Sequence, residues 1–538
     1  MIKYRSRVRS CVAQIGRKSL FLGSSILAIV LASMFSSSAK ADDVADRELR
    51  AQIQGLQEQN RQIQARLDAL SRRQAALAQS PVAKAAVPLM KPGTTLVTSP
   101  GKGQMTIGST TITLGGFVEG AGVYRSPAVQ SDLSSAFTKL PFVGGSTSPT
   151  IQNGALNARE QDVRASARGT RMSVGVSSEG IEDTILRAFV EGDFVGTGTT
   201  SSQVSSNSYV PRLRQAWVGY ERPNVGWHVF AGQQFSLITP LSSGLSPGKE
   251  KVAPVIDLSQ TVGTAGNIRQ ASLRIVKDFD NRFFFALSVE NAQLTSIGTV
   301  PATAAASFTA NSVLGTSTSS DVAPDIVAKA ASDTSFGHYE LFGVARFLHD
   351  RMNVAATSVG QGHTKFAGGG GAAASLPIIP KLLDLQGSVI YGNGTARYSA
   401  AYLGDVAFRA NGDFVPLKST VAQIGLVGHA TPRLDIYGFA GYESISGATG
   451  TFANDFSTGT SNAACVVTNG ATCNAIVKAV GELTVGAWYS LYQGEAGLVR
   501  TGFQYMHLSN ETFKDAAGFA PKAKQDAVLL SMRYFPFN

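Results

Sequence analysis

From about Thr111 to the end of the chain, short stretches alternate small or apolar residues with polar ones and are rich in Val, Thr, Tyr, Phe and Gly. A period of two places successive side chains on opposite faces, which predicts strands rather than helices. Candidate strands begin near 111, 163, 184, 209, 225, 267, 282, 336, 351, 384, 397, 420, 433, 476, 494 and 525. These are about sixteen segments of roughly ten residues each, the length a tilted strand needs to cross a bilayer. Their connections alternate in length. Tight ones fall at 178–183, 221–224, 278–281, 349–350, 393–396, 431–432 and 492–493, and long ones at 125–162, 196–208, 237–266, 293–335, 361–383, 409–419, 444–475 and 509–524. Short turns on one rim and long loops on the other predict an all-β transmembrane antiparallel barrel, because a soluble sandwich has no reason to segregate its loops this way.

A different period precedes the barrel. Leu49, Ile53, Leu56, Asn60, Ile63, Leu67, Leu70, Gln74 and Leu77 recur at spacings of four and three, an a/d heptad seam. The narrow seam predicts a self-associating coiled coil, with Asn60 and Gln74 setting register; the alternative is a single helix docked on the protein's own surface. Pro81, Pro88, Pro92 and Pro100, with Gly93, Gly101 and Gly103, then form a helix-breaking linker. At the front, residues 1–41 combine basic residues, an apolar run over 20–32 and the ending Ala39-Lys40-Ala41, which predicts a secretory signal peptide cleaved after Ala41. The expected organisation is a signal peptide over 1–41, a coiled coil over 42–80, a linker over 81–104 and the barrel over 105–538.

Composition changes this picture in two places. The chain has 538 residues, a formal charge of +10, 16% charged residues, 56 glycines and a mean hydropathy of +0.05, which excludes a polytopic helical membrane protein. Seven of the 47 basic residues lie in 1–41, so the remainder carries 40 basic against 37 acidic groups. The basicity is mostly a sorting label, and a nucleic-acid partner loses its support. Cys11 leaves with the signal; Cys465 and Cys473, a close pair in an exported chain, predict one disulfide closing a surface loop. The six histidines are scattered and suggest no metal site. The chain ends in an apolar, aromatic strand of the sort that barrel-assembly machinery recognises, although Phe537 is penultimate to Asn538. Tyr220, Trp227, Tyr391, Tyr398, Tyr437, Tyr442, Trp488, Tyr489, Tyr505 and Tyr534 lie near strand ends, where aromatic girdles are expected.

No catalytic constellation is present: there is no H-E-x-x-H, Walker A or G-x-S-x-G motif, Gly368–Gly371 falls in a predicted loop, and a Ser236–His228 pairing has no support. The informative residues are arginines. Arg164, Ser166 and Arg168 share one strand face, which Arg171 and Ser173 rejoin if Gly169 marks a bulge. Leu186, Ala188 and Val190 oppose Arg187, Glu191 and Asp193, and Arg212, Arg214, Arg269 and Arg274 follow. A strand arginine facing lipid costs about 2–4 kcal/mol at mid-membrane, so the lumen is preferred. Such a column creates a positive field for carboxylates; alternatively it pairs with Glu119, Glu182, Glu191 or Asp193 and braces the wall, and both can hold. The 237–266 loop, with Lys249, Glu250, Lys251 and Asp257, is placed where sixteen-stranded porins fold a loop inward.

The segments Arg164-Ala-Ser-Ala-Arg168-Gly-Thr-Arg171, Leu186-Arg-Ala-Phe-Val-Glu-Gly-Asp-Phe194, Arg212-Leu-Arg-Gln-Ala-Trp217, Phe230-Ala-Gly-Gln-Gln-Phe235 and Ile268-Arg-Gln-Ala-Ser-Leu-Arg274 resemble the early strands of DcaP-like outer-membrane porins, which also carry an N-terminal coiled coil. The likeness is motif-specific over about 160–290 and extends elsewhere only to layout. It implies a sixteen-stranded homotrimer in the outer-membrane lipid of a Gram-negative bacterium, with its coiled coil in the periplasm. It further implies passage of small organic anions, notably dicarboxylates, with no cofactor and no enzymatic activity. The lumenal arginines it carries over are Arg164, Arg168, Arg171, Arg212, Arg214 and Arg269. Two other readings stay open: an envelope tether acting through the coiled coil, and an adhesin acting through the long loops.

Overall fold

The computed structural model describes residues 97–98, 102–129, 131–142, 160–180, 183–196, 210–297, 321–353, 360–409, 413–447, 462–465, 475–515 and 517–538, with positions 54, 58, 61, 62, 64 and 65. The expected signal peptide, the expected coiled-coil seam, Glu182 and Cys473 lie outside the described residues. Gln54, Glu58, Arg61, Gln62, Gln64 and Ala65 are helical and exposed, and all six are outer positions of the predicted heptads. They belong to a unit spanning 1–94, and the barrel belongs to a second unit spanning 95–538.

The barrel opens with β1 (Thr110–Ser126). β2 comes in two pieces, Asp162–Ser166 and Arg171–Glu179, both paired with β1. β3 (Ile185–Gly196), β4 (Val210–Arg222), β5 (Trp227–Phe235), β6 (Arg269–Phe279), β7 (Phe283–Glu290) and β8 (Asp325–Thr334) continue the wall. β9 (Gly337–Asn353), β10 (Gly360–Ile379), β11 (Leu383–Asn393), β12 (Lys418–Thr431), β13 (Leu434–Ser446), β14 (Val477–Gly494), β15 (Gly497–Thr512) and β16 (Lys522–Phe535) complete it. Each strand pairs antiparallel with the next, and β16 returns to β1, so the sixteen strands close without an edge. Two short strands, Val97–Thr98 and Gln104–Ile107, add to the start of β1 and carry strand pairing into the stretch expected to be linker.

Strand number matches the expectation, but two offsetting differences lie behind it. The turn expected at 349–350 is inside β9, and the strand expected from 397 is a short 3₁₀ turn, Ala396–Tyr398, within a long loop. In their place stand β8, inside the loop expected at 293–335, and β10, which occupies most of the loop expected at 361–383. β10 contains Gly368–Gly371 followed by three alanines, a run with no side chains for an alternation pattern to register. A Cβ at Gly371 would collide with the Val389 carbonyl and the Phe342 ring, so the strand is built small to let its neighbours close in. The segregation of loops survives: connections on one rim have two to five residues, and those on the other have six or more. Asp280 and Asn281 both take positive φ at one tight turn, the geometry that keeps flanking strands in register.

β7 shows why the wall has two characters. Phe283, Phe285, Leu287 and Val289 are exposed on the outside, while Ala286, Ser288 and Glu290 are buried inside. The exterior is therefore an apolar belt suited to lipid, bordered by exposed Tyr220, Trp227, Tyr489 and Tyr534 toward the tight-turn rim and by Tyr391 and Tyr442 toward the other. Three aromatics expected in these girdles point inward instead. Tyr398 donates to Asp325 Oδ2 at 2.7 Å, Tyr437 to Gln504 Oε1 at 3.0 Å, and Trp488 Nε1 to the Pro254 carbonyl at 2.7 Å. A buried Tyr or Trp must satisfy its polar tip, and only the interior offers these partners.

Candidate functional site

The loop 236–268 joins β5 to β6, as the strand count required, and folds into the barrel. A backbone inside a lumen needs partners for its N–H groups, and inward side chains from distant strands supply them. Glu290 on β7 accepts from Leu237 N at 2.8 Å, and Glu340 on β9 accepts from Leu241 N at 3.0 Å. Lys329 on β8 donates to the Thr239 carbonyl at 2.9 Å and to Glu340 at 3.0 Å. Farther round, Gln504 on β15 accepts from Ile256 N at 2.6 Å, Glu482 on β14 from Val262 N at 2.8 Å, and Glu443 on β13 from Gly263 N at 2.7 Å. The anchors lie on opposite parts of the wall, so the loop spans the bore and narrows it.

Between this loop and the wall lies a cavity of about 750 Å³. Its basic lining comes from Arg171 on β2, Arg212 and Arg214 on β4, Arg269 on β6 and Arg533 on β16, with Lys139 from a loop. Loop residues 252–260, residues 134–139 of the 127–161 loop and Tyr402 form much of the remaining lining.

The wall arginines divide by how their donors are used. Arg212 grips Asp193 with two bonds of 3.0 and 2.7 Å, and Arg214 donates to Asp193 at 2.9 Å and to Glu191 at 2.5 Å. These two brace the wall as fork-like pairs. Arg171 approaches Glu191 only to 3.8 Å, and its Nε has no hydrogen-bond partner. Arg533 donates Nε to Glu119 at 2.7 Å, with no other protein acceptor among the described residues. Arg269 has no carboxylate partner among the described residues; its guanidinium sits 5.1 Å from the Phe235 ring centroid. Arg171, Arg269 and Arg533 therefore keep donors for a solute.

Four of the expected arginines stand apart from the cavity. Arg164 lies on the inward face of β2, opposite Val123, beside Asp162 at 3.5 Å. Arg168 sits in the break of β2 and binds Asp132 at 2.8 Å and the carbonyls of Phe194 and Gly196. The bulge expected at Gly169 is present: from the Ser166–Ala121 pair to the Arg171–Phe117 pair, β2 uses one residue more than β1. Arg187 pairs with Glu221 at 2.8 Å, and Glu221 in turn meets His228 Nδ1 at 2.7 Å. Arg274 is a correction to the pore-lining expectation: it is 1% exposed and donates to the carbonyls of Phe235 and Leu245, holding the inward loop rather than facing the passage.

Pattern reading missed Arg533, Lys139 and Tyr402 in the lining. Arg533 carried a signal, since Val528, Leu530, Met532 and Tyr534 alternate outward and leave Leu529, Ser531 and Arg533 facing in. Lys139 and Tyr402 lie on loops with no period to read. Of the loop candidates, Lys251 pairs with Asp384 at 3.3 Å and Lys249 is exposed, while Glu250 and Asp257 reach the cavity. Burial pushes the carboxyls of both Glu250 and Asp257 above the usual carboxylate range, although Asp257 accepts from Ser259 N at 2.7 Å and Ser135 N at 3.2 Å. Cys465 is buried and disulfide-bonded, with Cys473 outside the described residues.

No family model matches the chain, and no curated protein sequence does. Among solved structures, the outer membrane channel DcaP of Acinetobacter baumannii superposes with a TM-score of 0.56 at 14% identity, covering 79% of this chain and 98% of that one. An anion-selective porin from Comamonas acidovorans gives 0.42 at 12% identity over 79% and 98%, and OprB of Pseudomonas putida gives 0.44 at 11% over 78% and 94%; these two lower scores carry no argument. Closure over sixteen antiparallel strands, an apolar exterior and the DcaP superposition agree: in fold, this chain is a porin-type sixteen-stranded β-barrel.

Proposed function

We propose that this protein is an outer-membrane porin through which small organic anions diffuse passively, and that the cavity beside the inward loop is its selective constriction. The observation that carries the reading is the unequal use of the arginines. Arg212 and Arg214 are taken up by Asp193 and Glu191, whereas Arg171, Arg269 and Arg533 present unused donors to the cavity. A cation held this way lowers the barrier for a carboxylate and raises it for a cation. More than one such guanidinium lines the cavity, which favours a solute bearing two carboxylates.

The same reading includes a homotrimer assembled by barrel-assembly machinery in the outer membrane, a periplasmic coiled coil over 42–80 and a Cys465–Cys473 bridge in a surface loop. The test is reversal potential across a planar bilayer under a salt gradient, with purified full-length protein. Anion preference in the wild type that falls in Arg269→Gln supports the proposal. Open channels without anion preference overturn the selectivity, and folded protein with no channels overturns the porin reading.

A further inference from the structure

Arg171 and Arg533 raise a physical question. Arg533 has one carboxylate bond, from Nε to Glu119, and Arg171 approaches Glu191 only to 3.8 Å, so carboxylates alone do not fix the two guanidiniums, which share one wall as like charges. Ring faces are in place to do so. Arg171 lies 5.5 Å from the centroid of Phe117, and Arg533 lies 4.8 Å from the same ring. Arg533 is also 4.5 Å from the centroid of Trp488, and Arg500 is 5.6 Å from that ring. Five side chains from five different strands thus alternate: Arg171, Phe117, Arg533, Trp488, Arg500. Arg500 ends the series in an ion pair with Asp435, beside the tight-turn rim.

The two means of holding an arginine have opposite electrostatic consequences. A carboxylate fixes a guanidinium but cancels its charge and occupies its in-plane N–H groups. An aromatic face attracts the cation through the ring quadrupole and leaves the in-plane donors free. Glu191 lies 3.8 Å from Arg171, just beyond hydrogen-bond distance. Both guanidiniums lie against the one Phe117 ring.

We infer that Phe117 and Trp488, both uncharged, are determinants of charge selectivity: they hold Arg171 and Arg533 facing the passage, with Arg171 short of hydrogen-bond distance to Glu191 and Arg533 bonded to Glu119 through Nε alone. They are positioning residues, and the inference rests on the porin reading above. Trp488 has a second role, because its Nε1 anchors the inward loop at Pro254. Any test must separate the ring from that bond.

The experiment compares Phe117→Leu with Phe117→Tyr, and Trp488→Leu with Trp488→Phe, in the full-length protein in planar bilayers. Neither leucine variant alters formal charge. Each is expected to lower the anion-to-cation permeability ratio at least about twofold, the effect of neutralising one charge roughly 8 Å from the permeating ion in a water-like dielectric. The ring-retaining variants should restore most of the ratio, and Trp488→Phe should do so although it lacks the indole N–H. If the leucine variants keep the wild-type ratio while Arg269→Gln lowers it, the aromatic role is overturned and the porin reading stands. If the wild type itself shows no anion preference, both fall together. Should Phe117→Leu fail to assemble, the Trp488 pair decides, and equal losses in its Leu and Phe variants would assign the effect to the loop anchor and overturn the inference.

Discussion

Arg533 and Glu119 face each other across the seam that closes the barrel, paired in register and joined from Nε to Oε1 at 2.7 Å. One comes from the last strand and the other from the first, so this cavity arginine takes its place only when the circle of strands is complete. Glu119 also accepts from Ser531 Oγ at 2.6 Å, and a Cβ at Gly169 would meet its carboxylate, which would have to shift.

This pair yields a prediction with opposite signs for stability and selectivity. Glu119→Gln leaves Arg533 its full charge at the cavity, so the anion-to-cation permeability ratio should rise. The weakened bond at the seam should destabilise the barrel by about 2 kcal/mol. Reversal potential reads the first effect and the heat-induced shift in electrophoretic mobility reads the second; a fall in the ratio would contradict the arrangement.

Arg269 and Arg214 should separate passage from bracing. Arg269→Gln removes a charge with no protein carboxylate on it, so it should reduce anion preference about fourfold, as for a unit charge some 5 Å from the ion in a water-like dielectric, with little change in thermal stability. Arg214→Gln leaves Glu191 and Asp193 undercompensated in a buried setting and should cost about 3 kcal/mol. Equal melting points for the two variants would refute this division of labour.

Acidification should strengthen anion preference. Burial raises the Glu250 and Asp257 carboxyls above the ordinary range, so both take up protons at a higher pH than free carboxylates. Each proton removes a negative charge from the cavity lining. The stability sign is the same: with folded values raised, the penalty of ionisation is present at high pH and is relieved as pH falls through the folded values, complete below the unfolded ones. Reversal potentials at stepped pH between neutral and about 5 should show the rise, and Asp257→Asn should flatten part of it. A ratio that falls on acidification would count against both groups.

The Cys465 bridge should be a local staple. Mass mapping under non-reducing conditions is expected to find Cys465 joined to Cys473, and Cys473→Ser should loosen the outer loops while conductance persists. Nearby, Asn462 N donates to Asp515 at 2.8 Å and its side chain to the carbonyls of Phe513 and Phe519, so this clasp should survive reduction. Loss of channel activity in Cys473→Ser would give the loop a larger role than a surface staple.

Local alternation places Arg164 on β2 and Arg212 and Arg214, on either side of outward Leu213, on the inner face, and Arg171 joins them through the bulge at Gly169. A period of two leaves a strand residue only two directions, and lipid excludes one of them for a charge. Arg269, the first residue of β6, shares its parity with outward Ala271, Leu273 and Ile275 and reaches the cavity only through its place at the strand end. The alternation of short and long connections likewise determines the barrel class and the rim to which the ends return. Local pattern fails at β10, where a run of Gly and Ala carries no amphipathic signal, and at Tyr398, Tyr437 and Trp488, whose inward partners come from elsewhere in the chain. Whether an inner-face arginine braces or attracts could not be read locally either: Arg212 meets Asp193 on the next strand, but Arg533 meets Glu119 only through closure, and Arg274 lies under a loop. The path of 236–268 was decided by Glu290, Glu340, Glu443, Glu482 and Gln504, which present acceptors from opposite sides of the bore. Sequence by itself determined the face of most mid-strand residues, since that depends on neighbours two positions apart. Which of them stay available to a solute depends on contacts between residues hundreds of positions apart, and only the closed barrel with its loop inside decided that.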